Sequence, residues 1–516
     1  MTSSTGGRIG PPQVRAWVLI CAVAVFACVQ IWLVKAYGSI IPFWDEWDVQ
    51  GRNLFRPFLD GTLTLDAIIG THNEHRPAAG RLVWLFALVT AGYWDTVWMM
   101  LLSVLIRAAT LFLVVRSLAT GLVGWRFVLT VLLVLAVFLV PFGWENALWG
   151  MQSATYLLIF FGVAANLCLA RSPAFSPGWI AGTLLALASY FCMASGAITL
   201  MPAIVVALIR LAKGERRSGR EVAGILVHAA LVAACLAAIP KLEYKDNIAA
   251  ASFAVFWAGL LKFASWPAPE SFPAMVALNL PVALVFLRLV LGRTEGDAPL
   301  WGPVMAALWV HANILIFAYG RGGSSEVASR HTDMLVLGIA INLGLAVRLT
   351  DGLRGWRLGG AGTAAALWLA MMGLLLEQKA MVQVPDGLAW RQGTVMVQTQ
   401  KLAGFFATDD VRALKGQPHA FIPYPNPDRL AADLRDPYLR PILPAALTGL
   451  APQHHVSEGG VARAVNRAVA VLKSTLLRNA WPAIWVSFGL LVVACGLTLV
   501  ADWRRGGREA SGAPTP

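Results

Sequence analysis

The chain has 516 residues, of which 58% are hydrophobic and only 13% charged, with a mean hydropathy of +0.65. That charge content is about half of what a water-soluble globular protein carries, which excludes a string of soluble domains. The 41 Lys and Arg outnumber 28 Asp and Glu for a net charge of +13. They stand mostly at the ends of apolar runs, so the excess marks membrane orientation and not nucleic-acid binding.

In chain order, Arg8 and Arg15 precede an apolar run from Ala16 to Val34. It is long for a signal-peptide core and lacks a clear small-residue cleavage site, which predicts an uncleaved first helix. With about 20 apolar residues needed per crossing, the runs predict an all-α polytopic protein of about twelve transmembrane helices. They fall near 16–35, 96–115, 127–141, 152–170, 178–194, 197–212, 221–240, 272–291, 300–318, 333–349, 361–376 and 481–502, and 82–93 reads as a re-entrant or interfacial segment. Alternate loops hold Arg8 and Arg15, Arg116 and Arg126, Arg171, the Lys213–Arg220 cluster, Arg293, Arg348 with Arg354 and Arg357, and Arg504 with Arg505 and Arg508. The positive-inside rule makes that set cytoplasmic and puts both termini inside, in an inner (plasma) membrane.

The opposite loops carry Trp44-Asp45-Glu46-Trp47-Asp48, His72-Asn73-Glu74-His75-Arg76, Trp144-Glu145-Asn146, Arg321, and Ser329-Arg330-His331. The polar stretch 377–479 joins them and reads as a small, loop-rich extracytoplasmic module, with turn-rich text at Ile422–Asp428 and Leu434–Tyr438. The expected organisation is a transmembrane domain over 1–376 whose first outer loop spans 36–95, the module 377–479, a last transmembrane helix 480–503, and a cytoplasmic tail 504–516. Gly506, Gly507, Ser511, Gly512 and Pro514 predict a disordered end to that tail. The six cysteines lie singly in apolar stretches with no CxxC pair, so neither a disulfide framework nor a zinc ribbon is indicated.

Each polar cluster has a chemical reading and a plain one. Asp45, Glu46 and Asp48 sit between and beside two tryptophans, where lost solvation and mutual repulsion raise carboxylate pKa values and suit one of them to act as a general base; the plain reading is an acidic interfacial turn. His72, Asn73, Glu74, His75 and Arg76 suit hydrogen bonding to an anionic or hydroxylated ligand. A divalent metal on His72 and His75 is a second reading, although the spacing is not that of HExxH. Arg321, Arg330 and His331 flank a Gly-Gly-Ser-Ser loop and suit anion binding, or form rim pairs with Glu326 or Asp333. Glu145 and Asn146 beside Trp144 and Trp149 suit a sugar ring, or belong to an aromatic belt. Arg107, in the middle of an apolar helix, is expected to face the bundle interior and pair with an acid.

An acidic pair in the first outer loop of a many-helix protein resembles the GT-C superfamily of membrane glycosyltransferases, and Asp45-Glu46 matches its DE form. The wider set (WDEWD, HNEHR, WEN with WGMQ, an outer GR followed by SRH, then NPDRL and LP) is similar to a largely uncharacterised bacterial group within it. The chain departs from that pattern at His331, where an aromatic residue is expected. The resemblance implies transfer of a sugar from a polyprenyl-phosphate donor to a hydroxyl of a glycan, lipid or protein acceptor on the outer face of the cell envelope. It implies Asp45 as the base of an inverting displacement, with Glu46, Asp48 or Glu74 orienting the acceptor. Arg76, Arg321, Arg330 and His331 would then neutralise the departing lipid phosphate. A transporter or flippase for a lipid-linked glycan is the alternative; it would favour polar residues along several helices and inverted-repeat symmetry, and none is evident in the text.

Overall fold

The computed structural model describes residues 11–240, 248–292, 295–353, 355–416, 418, 421–449, 456 and 459–511. Arg8, Arg293, Arg354, Gly512 and Pro514 lie outside the described residues. Helix accounts for 79% of the chain, and the described residues contain no strand. Nine described helices are long and apolar enough to cross a membrane: Gln13–Tyr37, Thr96–Ala119, Gly150–Arg171, Ala194–Lys213, Gly219–Ala237, Ala298–Arg321, Ser329–Arg348, Gly355–Thr408 and Gly460–Arg505. The pair Phe272–Leu278 and Leu280–Leu291, bent by 62°, makes ten if it is one broken span. This is a multi-pass helical membrane protein.

The expected twelve crossings are thus reduced. The segments near 127–141 and 178–194 form helices Gly124–Leu139 and Pro177–Tyr190, of 16 and 14 residues. At 1.5 Å per residue these rise about 24 and 21 Å, less than the roughly 30 Å hydrocarbon core. Pro141 stops the first, because a proline two residues on disfavours further helix. The segment 82–93 is the apolar helix Ala78–Ala91, which ends where Gly92 takes a left-handed φ of 79°.

The bundle has two chemically distinct ends. At one, Arg15 pairs with Asp502 at 2.6 Å, Arg126 reaches the Thr350 carbonyl, and Arg348 reaches the Leu118 carbonyl. At the other, the Trp149 indole donates to the Phe43 carbonyl, Asn146 donates to the Arg330 carbonyl, and the Arg391 guanidinium donates to the Leu148 carbonyl. The polar clusters singled out above converge on this second end. Arg107 is buried in the bundle interior as expected, 3.6 Å from Asp333 and bonded to Gln30, with its guanidinium against the rings of Phe26 and Tyr156.

Residues 377–479 do not form a separate loop-rich module. The helix Gly355–Thr408 runs 54 residues without a break and Gly460–Ser511 runs 52, so each is about 80 Å long and outreaches a bilayer. The last helix therefore begins well before residue 480, and its backbone remains helical to Ser511, through part of the expected disordered tail. Between these two helices, the described residues form a compact segment of short helices, including Val411–Leu414, Pro427–Arg435 and Arg440–Ile442. That segment shares one hydrophobic core with the first outer loop: Trp47, Leu54, Phe55 and Trp94 pack with Phe405, Leu430, Leu434 and Leu439. Trp47 is fully buried in this core. The two regions, far apart along the chain, are one structural unit.

Candidate functional site

The site is assembled on a ten-residue π-helix, Glu46–Phe55, that follows the first spanning helix. Such wider turns are rare and concentrate at functional positions. Immediately before it, Trp44 holds a positive φ of 48°, an unfavourable conformation for a bulky residue, and its backbone N–H donates to the Pro423 carbonyl at 2.6 Å. The chain reversal at this point turns consecutive residues to different sides.

The three acids of the first cluster take three different roles. Asp45 presents a side chain that is 43% exposed, with the His72 ring nitrogen 3.8 Å from its carboxylate. Glu46 is 1% exposed. Its oxygens accept the backbone N–H groups of Phe43 at 2.7 Å and Met151 at 3.0 Å, and burial raises its pKa from an ordinary 4.5 to about 8 despite those donors and nearby Arg391. It clamps two loops together and is too buried to hold an acceptor. Asp48 is bonded to Arg52, to Arg429 at 2.9 Å and to the Tyr424 hydroxyl at 2.8 Å, and Arg52 also pairs with Asp433. Asp48 therefore ties the outer loop to the 409–449 segment.

His72 and His75 exchange backbone hydrogen bonds across a tight turn in which Asn73 has a φ of 50°. The Ala194 N–H donates to Nδ1 of His75 at 3.2 Å, which leaves Nε2 to carry the proton toward Glu74, 3.4 Å away. Arg76 reaches the carbonyls of Ile69 and Ala238. Among the described residues, no three His, Cys, Asp or Glu side chains converge as a metal ligand set.

A cavity of about 80 Å³ is lined by Phe43, Trp44, Trp144, Trp149, Trp390 and Leu148, with Glu145, Arg330 and Arg391 as its charged groups. Glu145 accepts the Arg330 backbone N–H at 2.9 Å. Asn146 is buried behind it, donating to the Arg330 carbonyl and to Asp333, each at 2.8 Å. Arg391 is 4% exposed and lies 5.4 Å from the Phe43 ring centre. The indole N–H of Trp44 and Nε of Arg391 are buried without a protein acceptor. Buried donors left in this way favour a ligand rich in acceptor oxygens.

Of the expected site residues, Glu145 and Arg330 line this cavity and Asn146 braces it, while Asp45 stands next to Trp44 in its wall. Arg321 and His331 do not line it. His331 packs between the rings of Phe263 and Phe317, with Nδ1 unpartnered, and does not meet an anion in the cavity. Arg391 and Trp390 were not expected. The signal available for them was an isolated Trp-Arg pair beyond an apolar run, weak because only the fold brings it opposite Trp44. No family model, curated protein or solved structure matches this chain.

Proposed function

We propose that this protein is an inverting GT-C-type membrane glycosyltransferase that moves a sugar from a polyprenyl-phosphate donor to an acceptor hydroxyl on the extracytoplasmic face. The observation that carries this reading is the cavity's chemistry: aromatic walls, two arginines and two buried N–H donors without acceptors, with the accessible Asp45 following the wall residue Trp44 in the chain. Aromatic faces suit sugar rings, and guanidinium groups suit phosphate. Asp45 takes the proton of the acceptor hydroxyl as that oxygen attacks the anomeric carbon. The bond from that carbon to phosphate breaks, and the lipid phosphate leaves with the electron pair. Arg330 and Arg391 oppose the charge that grows on it. His72 orients Asp45, and Glu46 acts only as a positioning residue.

The test is transfer of labelled sugar from a panel of polyprenyl-phosphate sugars by the purified protein. Asp45→Asn is expected to lower turnover by about 10²–10⁴-fold, the usual contribution of a positioned base, while keeping the thermal unfolding profile. Near-normal turnover in that variant would remove Asp45 from the mechanism. A transport reading is favoured by one observation, the buried Arg107–Asp333 pair inside the bundle. It predicts movement of a labelled glycolipid across liposomes without any acceptor, and no transfer product.

A further inference from the structure

Away from this cavity, the opposite end of the bundle holds a larger one. The helix Met201–Lys213 follows residues that contact His75 and runs to that far end, as does Ser153–Arg171, which starts beside the Glu46–Met151 contact. Where they finish, Arg210, Lys213, Arg216, Arg217 and Arg288 line a cavity of about 840 Å³ in which Glu215 is the single acid among the described residues. Glu215 is already engaged, 2.7 Å from Lys213 and 4.0 Å from Arg210. Three of the cations also donate to neutral acceptors. Lys213 donates to the carbonyls of Leu289 and Gly292, Arg216 to Ser172, and Arg217 to Leu211 and Ala212. These bonds hold the cations in place without cancelling their charge. Arg210 is buried against the Trp301 ring at 5.1 Å.

We propose that this cavity is a binding site for the headgroup of an anionic phospholipid. A loop that only orients the protein needs basic residues somewhere along it; here they come from separate segments, 210–217 and 288, and close on one space. Basic pockets between spanning helices suit phosphate headgroups in this way. The walls leading to the cavity are apolar and exposed, with Leu284, Leu287 and Leu291 on one helix and Val205 and Leu208 on the other, which gives acyl chains a surface to follow. A free phosphate would meet the charge but leave most of the volume and the apolar approach unused. This inference does not rest on the transferase reading, since none of these residues touches the aromatic cavity.

The experiment is native mass spectrometry of the full chain, released from nanodiscs and titrated with diphosphatidylglycerol, with phosphatidylcholine, and with inorganic phosphate as competitor. Preferential retention of the anionic lipid is expected. Arg217→Gln/Arg288→Gln is expected to weaken it roughly 30-fold, from two basic side chains at about 1 kcal/mol each. Glu215→Gln, which removes an acid facing these cations, is expected to strengthen it several-fold, and this variant carries the test if the double variant fails to fold. Equal retention of both lipids, no response to Glu215→Gln, or full displacement by inorganic phosphate would each overturn the proposal, the last by showing a free-anion site.

Discussion

Burial raises the Glu46 carboxyl to about 8 because loss of water costs its anion more than two backbone N–H donors return. The folded state therefore binds a proton that the unfolded chain has released between about pH 4.5 and 8. The stabilising effect of this proton is full below pH 4.5 and is lost as pH rises through 8. At 1.36 kcal/mol per unit, the difference is on the order of 5 kcal/mol. Thermal unfolding measured from pH 5 to 9 is expected to show the wild-type midpoint falling, and Glu46→Gln flattening that slope. An unchanged slope in the variant would assign the pH dependence to another group. Asp45, one residue earlier, differs from Glu46 only in which way the backbone turns it.

At the scale of elements, one contact and one network connect distant segments to the site. Gly387, in the long helix Gly355–Thr408, lies so close to the Trp144 indole that a Cβ would collide with it. Gly387→Ala is expected to destabilise by about 1–3 kcal/mol and to part the Trp144–Trp390 ring pair, read as a change in tryptophan emission. The network is Arg52 with Asp48 and Asp433, all mostly shielded from solvent. Arg52→Ala leaves two carboxylates without their shared cation and is expected to cost about 3 kcal/mol. Hydrogen exchange across Pro427–Arg435 is expected to accelerate. Exchange at the wild-type rate would mean that the apolar core alone holds this segment.

At the scale of the whole molecule, the Arg107–Asp333 pair joins helices Thr96–Ala119 and Ser329–Arg348 in the bundle interior. Asp333 also accepts from Asn146, which holds the Arg330 carbonyl, so the pair braces the cavity from behind. Breaking one partner strands a buried charge, whereas removing both does not. Arg107→Met is expected to lower stability by about 3 kcal/mol, and Arg107→Met/Asp333→Asn to recover most of that loss in detergent unfolding. A double variant that loses as much as Arg107→Met and Asp333→Asn added together would show that the two charges do not interact.

Chain text alone was enough to establish a multi-pass helical protein, the interior position of Arg107, and most of the crossings, because hydrocarbon thickness imposes a length and an apolarity that any reader can measure along a sequence. It also singled out Asp45, Glu145 and Arg330 as candidates, because their types are costly near a membrane and so stand out. The division of labour among Asp45, Glu46 and Asp48 was not legible, since three neighbouring carboxylates are alike until the backbone exposes one, buries one and pairs one with arginine. The unity of the first outer loop with residues 409–443, the length of the helix that delivers Arg391, and the departure of His331 into an aromatic setting were decided by tertiary packing. Each depends on contacts between segments well separated along the chain, and periodicity and composition record only what lies within a helical turn or a bilayer's width.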